Sequence, residues 1–128
     1  WAKPSPGEKA LAPFCREMVR RYGGVLEHPA HSRFLTEICG IRAGESRGEF
    51  RCVEVHQSWF GYPTKKRTWL LMPRNYKLTK IPFQLESRGA LSTRKSDRRI
   101  FENMSQSQRS QTTAQFATWL ISQIKYNQ

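Results

Sequence analysis

Acid is what this sequence has least of. Ten Asp and Glu stand against twenty-two Lys and Arg in 128 residues, a formal charge of +12. That imbalance argues against polycationic partners. A domain so basic is drawn to a polyanion, most often nucleic acid, and the alternative is a merely solvated cationic surface. Cysteine is sparse too. Cys15, Cys39 and Cys52 form no close pair, and their odd number argues against a disulfide framework and for a reducing compartment. No apolar run is long enough to span a membrane, and no signal peptide is visible, so a cytoplasmic location without membrane contact is expected. The chain also lacks a phosphate-cradling glycine loop, a nucleophile elbow and a Ser-His-Asp order. It begins at Trp1 rather than Met, as expected of a fragment or a processed form.

What is present is unevenly placed. Residues 62–99 hold eleven of the twenty-two bases, opposed only by Glu86 and Asp97, while residues 1–61 hold nine bases against seven acids. A charge so concentrated favours a local binding surface over a general cationic coat. Four Trp, seven Phe and four Tyr can fill the core of one domain spanning 1–128.

Periodicity divides the chain. Ser5 to Glu8 is spaced as a capping box, and Leu11, Phe14, Cys15, Met18, Val19 and Tyr22 recur at three- and four-residue steps. One amphipathic helix with a core-facing stripe is expected, kinked at Pro13 and ended by Gly23 and Gly24. Val25-Leu26 then reads as a short buried strand, and residues 30–39 as a second helix with Phe34, Leu35 and Ile38 on one face. Residues 51–60 alternate, with Cys52, Glu54, His56 and Ser58 on one side and Val53, Val55, Gln57 and Trp59 on the other. The segment Arg67 to Met72 returns as the second strand of a hairpin. Residues 73–109 form an irregular basic segment. Thr112 to Tyr126 is a final helix with Phe116, Trp119, Leu120 and Ile124 on one face, and Thr112 and Gln115 are spaced as its capping box. A lone buried strand needs parallel neighbours, so the order points to an α/β class in which further strands lie elsewhere, or to a small mixed sheet.

Three stretches could carry chemistry. Glu27 follows the buried strand directly and Pro29 fixes the exit of the chain. A carboxylate there sits where open α/β sheets hold ligands; the plainer alternative is a strand-end acid satisfied by an Arg. His28 and His31 have a spacing compatible with metal ligation, with Cys39, Cys52 and His56 as further ligands, but no second close pair supports them and no metal is expected. Lys65, Lys66 and Arg67 occupy a turn flanked by Trp59, Phe60, Tyr62 and Trp69, a candidate surface for phosphates and bases.

Two of these stretches, in order, resemble the second half of a DNA (cytosine-5)-methyltransferase of the divergent phage and prophage type. Glu27-His28-Pro29 is similar to the family's Glu-Asn-Pro. Phe60-Gly61-Tyr62-Pro63, followed by Thr64 to Thr68 and the strand Trp69 to Met72, is similar to its aromatic-Gly-x-Pro turn and Gln-x-Arg-x-Arg signature. The stretch Ser105 to Ile124 resembles the family's C-terminal helix. The departures are His28 in place of Asn, and Thr64 and Thr68 in place of the signature's first Gln and last Arg.

The resemblance implies a partial Rossmann-like sheet: helix, strand, helix, then a β-hairpin, the irregular basic segment and a C-terminal helix. It implies that Glu27 binds the edge of a flipped cytosine and holds a proton at ring N3, with Lys66 orienting the base and the carboxylate. It places the nucleophilic Cys and the S-adenosylmethionine loop ahead of Trp1, on a missing half or a separate partner chain, in a bacterial or phage-infected cell. DNA would be held by Lys65, Arg67, Arg88, Arg94, Lys95, Arg98 and Arg99. The alternatives are a stand-alone nucleic-acid-binding module and a metal-dependent nuclease using His28 and His31. Replacing Arg98 and Arg99 together is expected to weaken DNA binding across all sequences and to lower the slope of log K against log salt by about two; fluorescence-anisotropy titrations at several salt concentrations measure this.

Overall fold

The computed structural model describes residues 8–81 and 112–128. Helix α1 (Glu8–Tyr22) leads into strand β1 (Leu26–Pro29). A single π-helical turn (Phe34–Ile38) follows, then β2 (Ser46–Arg47), β3 (Phe50–His56), a 3-10 turn (Gln57–Phe60), β4 (Arg67–Pro73) and helix α2 (Ala114–Tyr126). The four strands form one sheet in the order β1-β4-β3-β2, and every pair is antiparallel.

This corrects the expected Rossmann-like arrangement. A parallel sheet needs crossover connections that return each strand in the same direction. Here β2 turns straight into β3, with Arg47 opposite Phe50, and β3 returns as β4 with Cys52 opposite Leu71 and Val55 opposite Thr68. Strand β1 then lies against the far side of β4, with Leu26 opposite Leu71 and Pro29 opposite Thr68. It needs no parallel neighbours because it is a short, half-buried edge strand, closed by a proline that cannot donate to a further partner. Its entry depends on Gly23, whose φ of +81° suits glycine. A Cβ there would come within 2.5 Å of the Tyr76 hydroxyl, which in turn accepts from the Gly24 N–H at 2.8 Å.

Strand β4 explains the rest of the packing. Thr68, Trp69, Leu70, Leu71 and Met72 are all buried, so both faces of the strand are covered. On one face Trp69 and Leu71 join Phe34, Leu35, Ile41 and Cys52, with Ala12 of α1 packed against them. On the other, Leu70 and Met72 join Val55, Phe60, Phe116 and Trp119. Phe60 packs on Phe116 and Trp119 at ring separations of 5.0 and 5.1 Å. Each fully buried aromatic side chain contributes on the order of 1.5–3 kcal/mol. Helix α2 is fastened at both ends. Thr113 caps it by accepting from the Phe116 N–H and donates its hydroxyl to the Phe60 carbonyl at 2.9 Å. Near the other end, buried Gln123 exchanges hydrogen bonds with the backbone and side chain of Thr79.

Other expectations need adjustment. The hairpin and the final helix are present, although the alternation read as strand over 51–60 stops at His56, where the chain enters the 3-10 turn, and Thr113, not Thr112, caps α2. The expected helix over 30–39 is only the π-helical turn, and Ile38 is exposed. On α1 Val19 is buried but Leu11, Phe14 and Tyr22 face outward, so the helix lies on the sheet with a different face from the one its apolar spacing suggested. The aromatic turn is no stacking surface: Phe60, Tyr62 and Trp69 are 1%, 5% and 3% exposed, and Trp59 stacks on His56. The cap at Ser5, and residues 82–109 of the basic segment, lie outside the described residues. Among the described residues no helix is long and apolar enough to cross a membrane.

At the turn end of the β3–β4 hairpin, Glu54 binds three partners. Arg67 donates to it at 2.8 Å, the Trp69 indole at 2.9 Å, and His56 lies 3.0 Å away. The Arg67 bond, helped by Trp69 and His56, pulls the Glu54 carboxyl down to about 2. A depressed carboxyl contributes stability that is present above its unfolded value and is lost as pH falls through the folded one. Urea titrations should therefore show the wild type losing stability from the ordinary carboxylate range down towards pH 2. Glu54→Gln should be less stable at pH 7 and lose less over the same window.

Candidate functional site

Side chains alternate across the sheet, so Glu27 does not share a face with Trp69 and Cys52. It points with Leu70 and Thr68 towards the side covered by the 3-10 turn and α2. Burial pushes its carboxyl up, and the positive charge of Lys66 opposes the shift without cancelling it. Its Oε2 is buried and accepts no hydrogen bond. A surface acid satisfied by an Arg would show the reverse on both counts. Buried polar atoms without partners are rare in folded proteins, and leaving one costs about 1–3 kcal/mol.

Lys66 is brought to Glu27 by an unusual backbone. Its φ is +35°, a region that non-glycine residues seldom occupy. Burial pushes its ammonium down while Glu27 holds it up. The Nζ lies 4.6 Å from the centre of the Tyr62 ring, in cation–π geometry. The Lys66 carbonyl accepts from the Thr68 hydroxyl at 3.0 Å and from the Gln57 N–H at 3.3 Å. Gln57 also donates through Nε2 to the Thr68 hydroxyl at 2.9 Å, while its Oε1 is buried without a partner. Gly61, with φ +89°, closes the 3-10 turn and lets the Tyr62 N–H reach back to the Gln57 carbonyl at 3.2 Å.

The structure thus brings the charges of Glu27 and Lys66 within reach of each other and holds Lys66 with Tyr62, Thr68 and Gln57. It does not bring the rest of the expected set to them. Lys65 is exposed on the turn, whereas Arg67 is committed to Glu54 on the opposite face. Arg88, Arg94, Lys95, Arg98 and Arg99 lie outside the described residues. The two histidines do not converge: His28 bonds Ser32 and packs on Phe34, and His31 packs on Trp69. Among the described residues no three His, Cys, Asp or Glu groups gather as metal ligands. Cys52 belongs to the other core, and its thiol is pushed up to about 12 mainly by burial. Cys39 packs in the same core and is also raised by burial. Neither has the lowered thiol pKa that marks a reactive nucleophile.

The resemblance puts the S-adenosylmethionine loop ahead of Trp1, and the described residues by themselves do not fit that cofactor. Such cofactors lie across the carboxyl ends of parallel strands, and this antiparallel sheet offers no such row. A depression of about 220 Å³ lies beside β2, lined by Gly44, Glu45, Ser46, Arg51, Val53 and Arg74 among others, but Glu27 does not line it.

No protein-family model matches the chain, and no curated protein or solved structure matches it either.

Sequence reasoning missed Gln57 and Thr68 as parts of the site. The signal was available for Gln57, a polar residue in the same alternating set as Val53 and Val55, just past the end of β3. Thr68 entered only as a departure from the family signature, although a small hydroxyl is what this buried position can hold.

A carboxyl whose folded value is raised favours the fold while protonated, and that contribution is lost as pH rises through the folded value. Glu27→Gln is therefore expected to match the wild type near pH 4 and to exceed it in thermal midpoint at pH 8. Differential scanning calorimetry across that range measures the difference.

Proposed function

We propose that this chain binds DNA and reads the edge of a cytosine taken out of the base stack, as the recognition part of a methyltransferase-like activity. The observation that carries this reading is the Glu27 carboxyl, buried, raised towards its neutral form and unpartnered at Oε2. A neutral carboxyl presents one donor and one acceptor side by side. Cytosine presents the complement, an acceptor at N3 and a donor at N4. Uracil reverses that pattern, and a neutral carboxyl meets it by carrying its proton on the other oxygen. Discrimination therefore rests on cytosine N3, a basic site that can share the proton, where uracil N3 already carries one. A proton shared between Glu27 and ring N3 also draws electrons from the ring, which prepares it for attack at the 6-position. Lys66 sets how readily Glu27 releases that proton.

The attacking thiolate and the methyl donor are assigned to a separate chain, because Cys39 and Cys52 lie in the core across the sheet. Affinity for DNA would come from phosphate contacts, with Lys65 at the exposed turn and Arg88, Arg94, Lys95, Arg98 and Arg99 in the basic segment. A stand-alone module without any catalytic partner is the second reading, favoured by the antiparallel sheet.

The test uses a duplex whose single cytosine faces an abasic site and so leaves the stack easily, compared with the same duplex carrying uracil. The wild type should prefer cytosine by about tenfold or more at pH 6, and the preference should fade as Glu27 ionises. Glu27→Ala should remove the preference. Glu27→Gln can turn its amide to suit either base and has no proton to share with N3, so it should lose most of the preference together with its pH dependence. Equal affinity for the two duplexes, or a preference indifferent to Glu27→Ala, would sink the proposal. Methyl transfer on adding a partner chain separates the two readings.

A further inference from the structure

Gln57 has no exposed surface. Its amide nevertheless leaves one buried oxygen without a partner, a cost of about 1–3 kcal/mol that an apolar side chain of similar size would avoid. Packing alone therefore does not account for a glutamine here. What the residue does supply is a set of grips on the two groups that face each other across the cation–π contact. Its carbonyl accepts from the Tyr62 N–H, its own N–H donates to the Lys66 carbonyl, and its Nε2 donates to the Thr68 hydroxyl. That last bond occupies an acceptor position on Thr68 and leaves the hydroxyl proton free for the Lys66 carbonyl, 3.0 Å away. Lys66 needs such restraint, because a left-handed backbone at a residue with a long side chain costs on the order of 1–2 kcal/mol. Relaxed to an ordinary φ, Lys66 would carry its ammonium away from Tyr62 and Glu27.

We propose that Gln57 is the positioning residue of the site: through Thr68 it locks Lys66 in its left-handed conformation over Tyr62 and so controls the protonation of Glu27. Among the described residues Lys66 is the charged group that acts on the Glu27 carboxyl, and burial is the other influence on it. Losing the lock removes the charge that favours the ionised form and leaves burial unopposed. The consequence for cytosine recognition rests on the function proposed above, whereas the titration of Glu27 does not, so the two can fail separately.

The experiment follows the Glu27 side-chain carbon by NMR through a pH titration of the free full-length chain, in the wild type, Gln57→Met and Thr68→Val. Gln57→Met removes the donor and the unpartnered oxygen while keeping the volume. Thr68→Val removes the hydroxyl that relays the restraint. Both variants should titrate Glu27 at higher pH than the wild type, and Gln57→Met should keep or raise the thermal midpoint. The Lys66 Nζ resonance should lose its ring-current shift from Tyr62 in both. A Glu27 titration unchanged in the folded variants overturns the proposal, and Thr68→Val alone decides it should Gln57→Met not fold. If Glu27 titrates higher but the cytosine preference does not extend to higher pH, the positioning role stands and the cytosine reading fails.

Discussion

Strand β4 is buried on both faces and paired on both edges, and the rest of the structure follows from that constraint. Five consecutive side chains from Thr68 to Met72 are removed from water. The odd-numbered ones need a cover on one side and the even-numbered ones on the other, because successive residues point to opposite faces. The π-helical turn and α1 supply the first cover, and the 3-10 turn and α2 the second. A strand buried this way cannot also sit at an edge, so β3 and β1 close it on its two sides.

The candidate site sits where that burial meets a polar residue. Thr68 is the one hydroxyl within the run, and its position on the α2 side puts it between Gln57, Lys66 and the edge strand that carries Glu27. The carboxyl and the ammonium interact there with part of their hydration removed, which strengthens their attraction and opposes the charge on each. The balance differs at Glu54. It lies closer to water and is held by direct hydrogen bonds, so its carboxyl is driven down where that of Glu27 is driven up. Two acids in adjoining regions of one small sheet are thus tuned in opposite directions by burial and by hydrogen bonding.

Local order was legible in the sequence wherever the pattern repeats. The alternation over 51–56 and the run from Arg67 to Met72 mark β3 and β4, though the same alternation continues through 57–60 into a 3-10 turn, and Phe116 and Trp119 mark the buried face of α2. The direction of β1 was not legible. The short apolar pair Val25-Leu26 looks the same in a buried parallel strand and in a half-buried antiparallel edge, so it suggested the wrong sheet, whereas the run from Arg67 to Met72 was read correctly as the return of a hairpin. The apolar spacing of α1 misled for a related reason. It records which residues could be buried, and the sheet accepted Val19 while leaving Leu11 and Phe14 outside. Glu27 and Lys66 were recognisable through the family resemblance. Their support through Gln57 and Thr68 depends on a turn and a left-handed residue that no periodicity encodes.

The hydrogen bond between the Gly24 N–H and the Tyr76 hydroxyl joins positions 52 residues apart. It has a bearing on the order of assembly. The β3–β4 hairpin closes a loop of modest length, whereas docking β1 on β4 closes a longer one, at a larger entropic cost. Glu27 stays hydrated until that docking step, so its dehydration accompanies the closing of the sheet rather than its nucleation. Of the two strands that flank β4, the one that carries Glu27 is the more distant in sequence, so the candidate site exists only once the longer loop has closed.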